Sequence, residues 1–577
     1  MKRSTIPVPW LVGLALFSAA CGGEDVGSDS ADATEVIPET SLEAAAVRAL
    51  LNDPATTVDV LKQGKVTTKT AGALLAYRAG ADGVFRNADD DLFDTIAEVD
   101  AVKGVGSATL KNLQKLATDR GYLDAQKAKE RFVVFSPQPA DKSHNVEVAK
   151  LIGEAKTSLD IAMYSYSDAN IAAALQAAVN RGVKVRFLFE TANDDRKLTG
   201  SALAASRSGK LEAMGVDVRW VNKIMHHKFM IVDGPRDSAD AAKTATIVSG
   251  SGNWSNGAAT KYDENTMFLT AYPELALRLQ REFNLLWDHS NDLVSNPAIV
   301  SESSTLDITD ELVVEDPGMH VFFTSKNFKV NGTTFSVSGE DEVANHLVAA
   351  IEDAEERILI ASGHLRSRPV AEALMKKRAE APDLEIRVYL DGQEFVSESG
   401  NAKQISDREA CLASATTEKQ KDACVDKSFL YGFEVGKTGI DVRYKYYAYR
   451  WDTSYAAQMH NKYLIVDDAL FSGSYNLSDN AEHNTFENMF LFRGPEFRDL
   501  VEEYVDRFEI LWKQGDGLLP GLTKKIDEDA TIPIVFPAMS LSWTEVRDLR
   551  ALIAKECPAV NSEAFRTNPA ANQVCKK

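Results

Sequence analysis

Apolar and polar positions along this chain fall into two matching series of strand and helix signals. In the first, a strand-like run at 132–135 precedes helical spacing at 145–155, a buried-strand signal at 159–164, a helical segment at 171–180 and a further strand signal at 183–189. The same order returns at 321–323, 342–354, 357–361, 369–379 and 384–390. Short, largely apolar runs read as strands covered on both faces. Strands alternating with helices predict a layered α/β domain with a parallel or mixed sheet. Each series closes with an amphipathic helix ending in Trp, at 273–287 and 495–512. The repeated order predicts an internal duplication: two similar α/β halves, 130–295 and 318–525, related by a pseudo-two-fold axis. Hydrophilic stretches at 191–209 and 395–429 leave the ends of predicted strands, where α/β folds place ligand sites, and are candidate lids or rims.

The flanks read differently. Residues 41–125 predict a small all-α module, and 526–577 a C-terminal extension whose one clear element is a packing helix at 543–555. The module contains Val102-Lys103-Gly104-Val105-Gly106, followed by a helix start, which resembles a helix-hairpin-helix motif. Its two glycines open backbone angles closed to other residues, and the free N–H groups of the next helix can face a phosphate. Gly104 and Gly106 are therefore a candidate nucleic-acid contact, although Glu98, Asp100 and Asp89–Asp91 surround them with negative charge. The acids from Asp82 to Asp94 lack an EF-hand frame and read as turn and cap residues.

Residues 1–20 carry a basic Lys2-Arg3 start, an apolar run too short to span a bilayer, and small residues before Cys21. This resembles a bacterial lipoprotein signal, with Ser18 departing from the usual Leu, and implies lipidation of Cys21 and export to a membrane surface. Residues 21–40 read as a flexible acidic tether. Export makes the other four cysteines disulfide candidates, and sequence proximity favours Cys411–Cys424 and Cys557–Cys575. No Cys/His cluster suggests a metal site, and no cofactor motif stands out.

The chemistry lies in one polar string that occurs twice. His226, Lys228 and Asp233 form His-x-Lys-x4-Asp, and His460, Lys462 and Asp467 repeat it. A coda follows each copy, Gly250-Ser251-Gly252-Asn253 and Gly473-Ser474-Tyr475-Asn476, and then Glu264-Asn265 and Glu487-Asn488. Coda glycine and glutamate are 14 residues apart in both copies; histidine and coda glycine are 24 apart in the first and 13 in the second, which places an 11-residue insertion within 234–244. Two copies of one polar set on one chain can build one two-fold site. Asp233 and Asp467 stand an odd number of positions from their His and Lys, which points them to the other face of the strand as structural groups. His227 faces away from His226 for the same reason and reads as structural.

On these motifs the chain resembles two-motif members of the phospholipase D superfamily over about 130–525. The resemblance implies phosphodiester chemistry, with His226 as nucleophile, His460 as general acid/base, and Glu264 and Glu487 holding the imidazoles. The residue types suit it. Lys228 and Lys462 place cations beside non-bridging oxygens, and Ser251, Asn253, Ser474 and Asn476 are candidate phosphate donors. One imidazole attacks phosphorus, and the other protonates the leaving alcohol and then activates water.

Substrate is less directly written. A net charge of −21 makes the surface acidic and disfavours long-range attraction of nucleic acid or anionic lipid. The aromatic run Tyr444–Trp451, with Lys445 and Arg450, could border the site at a lipid headgroup or stack bases; a half-buried strand edge is the plainer alternative. Three readings remain: an exported phospholipase D acting at a phospholipid membrane, an exported nuclease, and a surface binding module without activity. The last is disfavoured because every residue of the polar set is present in both copies.

Overall fold

The computed structural model describes residues 36–87, 89–294, 299, 303–424, 428–448, 456–529, 536–555 and 562–563. The signal, Cys21, most of the tether, Cys557, Cys575 and Tyr449–Trp451 lie outside the described residues.

Two eight-stranded mixed sheets form the body of the molecule. The first contains β1 (Glu130–Ser136), β2 (Ser158–Met163), β3 (Lys184–Phe189), β4 (Asp217–Trp220), β5 (Lys228–Val232), β6 (Thr246–Gly250), β7 (Glu264–Thr270) and β8 (Asn291–Asp292). The second contains β9 (Met319–Phe323), β10 (Arg357–Ser362), β11 (Glu385–Asp391), β12 (Asp441–Tyr446), β13 (Lys462–Val466), β14 (Ala469–Gly473), β15 (Asn488–Phe492) and β16 (Met539–Ser542). Their spatial orders are β1-β7-β6-β5-β2-β3-β4-β8 and β9-β15-β14-β13-β10-β11-β12-β16, so each strand matches the one eight places on. β2, β3 and β4 run parallel, as do β10, β11 and β12, and the remaining neighbours are antiparallel. The α/β class and the duplication read from the sequence both hold.

Burial explains the strand composition. Every residue of β5 and β13 is buried, because each sheet is covered on both faces. Between the sheets lies one shared core. It joins Phe229, Ile231 and Leu269 of the first sheet to Tyr463, Ile465 and Phe490 of the second through the two Trp-ended helices, Pro273–Asp288 and Arg498–Trp512. In the first of these helices Leu275, Leu279, Phe283 and Trp287 recur at helical spacing and are buried, and Pro273 opens its first turn. Separate cores fill the outer faces of the two sheets.

The structure adds detail to the flanks and insertions. The C-terminal extension is not separate, because β16 pairs antiparallel with β12 as the edge of the second sheet and helix Trp543–Lys555 packs on that sheet's outer core. The hydrophilic stretches are largely helical: Glu190–Asp195, Gly200–Ala205 and Arg207–Met214 in the first half, Glu398–Ser414 and Glu418–Cys424 in the second. A Cys411–Cys424 disulfide ties the last two, with Cα atoms 5.6 Å apart. Tyr444 and Lys445 are buried in β12, which is paired on both sides, so this part of the run is neither an aromatic border at the site nor a half-buried strand edge. The N-terminal module consists of helices from Leu42–Asn52 to Tyr122–Ala128 around a small core of its own. Lys129, just after it, pairs with Glu496 of the second half at 2.8 Å.

The 11-residue difference lies between β5 and β6, where a loop and a short turn of helix, Ala239–Lys243, replace the two-residue turn between β13 and β14. Arg236 of that loop joins Arg186 around the buried carboxylate of Asp160. Asp233 and Asp467 stand at equivalent corners with φ of 52° and 53°. Asp233 accepts the backbone N–H groups of Lys156, Thr157 and Ser158, and Asp467 those of Glu355, Glu356 and Arg357. Each carboxylate thus fastens the start of β2 or β10 to the end of the motif strand. Asp233→Ala and Asp467→Ala should each lower stability by about 2–3 kcal/mol, read as a reduced denaturation midpoint. Asp233→Asn should cost less, because asparagine tolerates a positive φ.

Candidate active site

The motif strands β5 and β13 carry Lys228 and Lys462 at their first positions, and the two motif histidines stand two residues before them. Short parallel pairings carry each histidine across to the opposite half. Ile224–Met225 pairs with Thr485–Phe486, and Asp263 bridges Met459. The His226 N–H donates to the Phe486 carbonyl at 3.2 Å, and the His460 N–H to the Asp263 carbonyl at 3.0 Å.

The pairing of imidazole and acid is therefore crossed. His226 Nδ1 lies 2.7 Å from Glu487 Oε1, and His460 Nδ1 lies 2.6 Å from Glu264 Oε1. Each half supplies the histidine that the other half's glutamate holds. Lys228 Nζ is 3.3 Å from both ring nitrogens of His226 and donates to that residue's carbonyl at 2.8 Å. Lys462 Nζ repeats this at His460, 3.2 Å from Nδ1 and 2.7 Å from the carbonyl. The Tyr164 ring packs edge-on to His226 at 4.7 Å between centroids, and the Tyr262 ring lies 6.2 Å from His460.

Burial of so many ionisable groups drives each toward its neutral form. Both histidines are pushed well below the usual imidazole value, first by burial and then by the lysines. Burial lowers Lys228 to about 7 and Lys462 to about 8. It raises Glu264 and Glu487 to about 7 against the pull of the lysines. The imidazoles are not equally enclosed: the His226 side chain is 11% exposed and that of His460 23%.

The coda residues divide into two kinds. Ser251 and Ser474 were expected to face a phosphate, and they do not. Both are fully buried. Ser474 Oγ donates to Glu487 Oε2 at 2.6 Å and accepts the Asn488 N–H, and Ser251 Oγ accepts the Asn265 N–H at 3.0 Å. Their hydroxyls bind the coda to the acid-bearing strand. The coda glycines permit this close approach, since a side chain at Gly250 or Gly473 would run into the carbonyl of Asn265 or Asn488. Asn253 and Asn476 are half-buried, and the Oδ1 of each is buried without a hydrogen bond.

The asparagines that follow the two acids tie the halves together. Asn265 donates to Asn461 Oδ1 at 3.0 Å and accepts from Ser472 and Tyr504, all in the second half. Asn488 reaches back to Ser249 and to His227 Nδ1 at 3.0 Å in the first. His227 is buried, with Nε2 3.1 Å from Glu282. For metal ligation, the converging set among the described residues is Glu274, Glu315 and His320, where Arg278 already bridges both acids.

A family model described as a cardiolipin synthase, PLD-like domain matches residues 148–287 and 347–512, together just over half of the chain. The chain belongs to the phospholipase D superfamily. It is similar to the mitochondrial cardiolipin hydrolase of Danio rerio, 34% identical over 140 residues, which is 24% of this chain and 54% of that protein. The human protein of the same name is 31% identical over 139 residues, 24% of this chain and 48% of the relative. The chain thus spans about half the length of these relatives. Among solved structures, Nuc from Salmonella typhimurium, a phospholipase D family member, is 30% identical, covering 28% of this chain and 97% of its own, with a TM-score of 0.23.

The site's charge leads to a binding prediction. Tungstate affinity, measured by calorimetry, should fall as pH rises through the two lysine values, about 7 and about 8, because deprotonation removes the cations. Lys462→Met should abolish the upper step. A pH-independent affinity would contradict this account of the lysines.

Proposed function

We propose that the protein is an exported phosphodiesterase of phospholipase D type. It hydrolyses the distal phosphodiester of phospholipids, giving phosphatidic acid and an alcohol through a phosphohistidine. The observation that carries this reading is the crossed site, with two imidazoles, each held through Nδ1 by the other half's acid and each beside its own lysine.

The steps follow from the geometry. With Nδ1 facing a carboxylate, Nε2 is the ring nitrogen that meets phosphorus. His226, the more enclosed imidazole, attacks. A P–N bond forms as the P–O bond to the alcohol breaks, and the departing oxygen takes a proton from His460. In the second step His460 takes a proton from water, the hydroxyl attacks phosphorus and the P–N bond breaks, freeing His226. The greater exposure of His460 suits the group that must exchange protons with solvent. Lys228 and Lys462 stabilise the non-bridging oxygens as charge develops. An alcohol in place of water would yield a transphosphatidylated product from the same intermediate.

The relatives named as cardiolipin hydrolases support a phospholipid substrate, and the lipoprotein-like segment ending at Cys21 supports a membrane location. A nuclease is the second reading. It is favoured by the turn at Gly104, whose φ is 95°, ahead of helix Ser107–Asp119, which starts without a side-chain cap. Glu98 and Asp100 oppose it.

Purified protein should release headgroup from phosphatidylcholine or cardiolipin vesicles and leave single-stranded DNA intact. DNA cleavage with intact lipid would transfer the assignment to the nuclease, and inactivity on both would leave a binding module. His226→Ala and His460→Ala should each fold normally and lower kcat by about 10⁴-fold or more. Cys21→Ser should move the protein from the membrane to the soluble fraction of cells expressing the full chain.

A further inference from the structure

Each catalytic histidine is preceded by a buried methionine whose backbone N–H is donated to a carboxylate outside the motif. Met225 N–H reaches Glu190 Oε2 at 2.6 Å, and Met459 N–H reaches Asp391 Oδ2 at 2.8 Å. The two acids occupy equivalent places. Phe189 stands beside Met163, which pairs with Lys228; Leu390 stands beside Ser362, which pairs with Lys462. Glu190 and Asp391 are the next residues in each case. They emerge from the same end of β3 and β11, and the duplicated halves have a carboxylate there in both copies although their side-chain lengths differ.

We infer that Glu190 and Asp391 are positioning residues for the two imidazoles: each fixes the peptide before its histidine and so sets where that ring meets the phosphorus. The inference rests on the phosphodiesterase reading of the site. Two consecutive amides are clamped in each copy, one by a carboxylate of the histidine's own half and the next by a carbonyl of the other half. The histidine backbone therefore has little freedom to slide along or turn about the motif strand. Neighbouring contacts extend the clamp. Asp391 also accepts the Gln393 N–H at 2.9 Å and the Tyr447 hydroxyl at 3.1 Å. Burial raises the pKa of Tyr164, the ring packed on His226, and the nearby Glu190 adds to that rise. Burial holds both acids above the usual carboxylate range, Glu190 at about 7 and Asp391 at about 6. An amide side chain accepts the same N–H without that burial cost, so acceptor and charge can be separated.

The test uses the full chain and four variants. Glu190→Gln and Asp391→Asn keep an acceptor; Glu190→Met and Asp391→Leu fill the space and accept nothing. On a soluble phosphodiester, the apolar variants should lose about 10–100-fold in kcat/KM, as expected for a small displacement of reacting groups. The amide variants should stay within a few-fold of the parent. Apolar variants that fold and turn over at the parental rate overturn the inference. So do amide variants that lose turnover, whether or not the apolar ones fold. If the parent itself cleaves no phosphodiester, the proposed function falls, and tungstate affinity decides the positioning role. Affinity weakened in the apolar variants and kept in the amide ones supports it, and equal affinities in all five proteins overturn it.

Discussion

Everything in this molecule is organised around a contact that neither half can make alone, the short link between an imidazole on one motif strand and a carboxylate on the other half. At 2.6–2.7 Å these contacts are in the range of strong charge-assisted hydrogen bonds. They also place two acids, two lysines and two imidazoles in a volume that admits little water. Such a cluster is stable only if every member has a partner, since an uncompensated buried charge costs several kcal/mol. The surroundings hold the two halves in register for it. The parallel bridges at Met225 and Met459, the reciprocal asparagines Asn265 and Asn488, and the shared core between the sheets all cross the same interface. A shift of one half by a single residue would break all of them together.

Within that symmetry the halves are not alike. The carbonyl that receives the His226 N–H belongs to Phe486, which packs against Phe328 and Phe335. The one that receives the His460 N–H belongs to Asp263, whose side chain is paired with the buried Lys445 at 2.6 Å. Tyr164 covers His226, whereas the matching position beside His460 is Gly363, where a side chain would press on the Met459 carbonyl. One imidazole sits under an aromatic lid on an apolar support, and the other is more open on an ionic one. That difference is consistent with the proposed division of duties, nucleophile on the enclosed side and proton carrier on the open side.

The sequence showed the fold and the polar set because both are carried by periodicity and equal spacing. Buried strands give short, largely apolar runs, and the same string recurs with one insertion. It could not show the crossed pairing, since an acid 14 residues past its coda has the same spacing whichever histidine it meets. The serines were misassigned for a related reason: a hydroxyl beside a candidate site looks like a donor to substrate, and only the packed structure shows that Ser474 is spent on Glu487. Glu190 and Asp391 were invisible because the insertion at 395–429 separates the second acid from its histidine far more than the first, so no common spacing marks them. β16 is four residues long and is a strand only because β12 offers it an edge.

The electrostatics bear on how a substrate reaches this site. With no substrate present, burial favours neutral imidazoles, lysines that have partly lost their protons and glutamates that have partly kept theirs. A phosphodiester anion reverses that preference, because its charge stabilises protonated lysine and makes room for one imidazolium. Substrate binding therefore completes the charge pattern that the first chemical step needs, and it takes up protons in doing so. Outside the site, a chain with net charge −21 repels anions at long range. Salt confines that repulsion to about 8 Å, so it opposes capture of a free polyanion from solution more than it opposes a headgroup already held against the protein. A tether at Cys21, as proposed, would hold the site next to a bilayer and remove the need for electrostatic steering, which makes an acidic surface compatible with a lipid substrate and awkward for a nuclease.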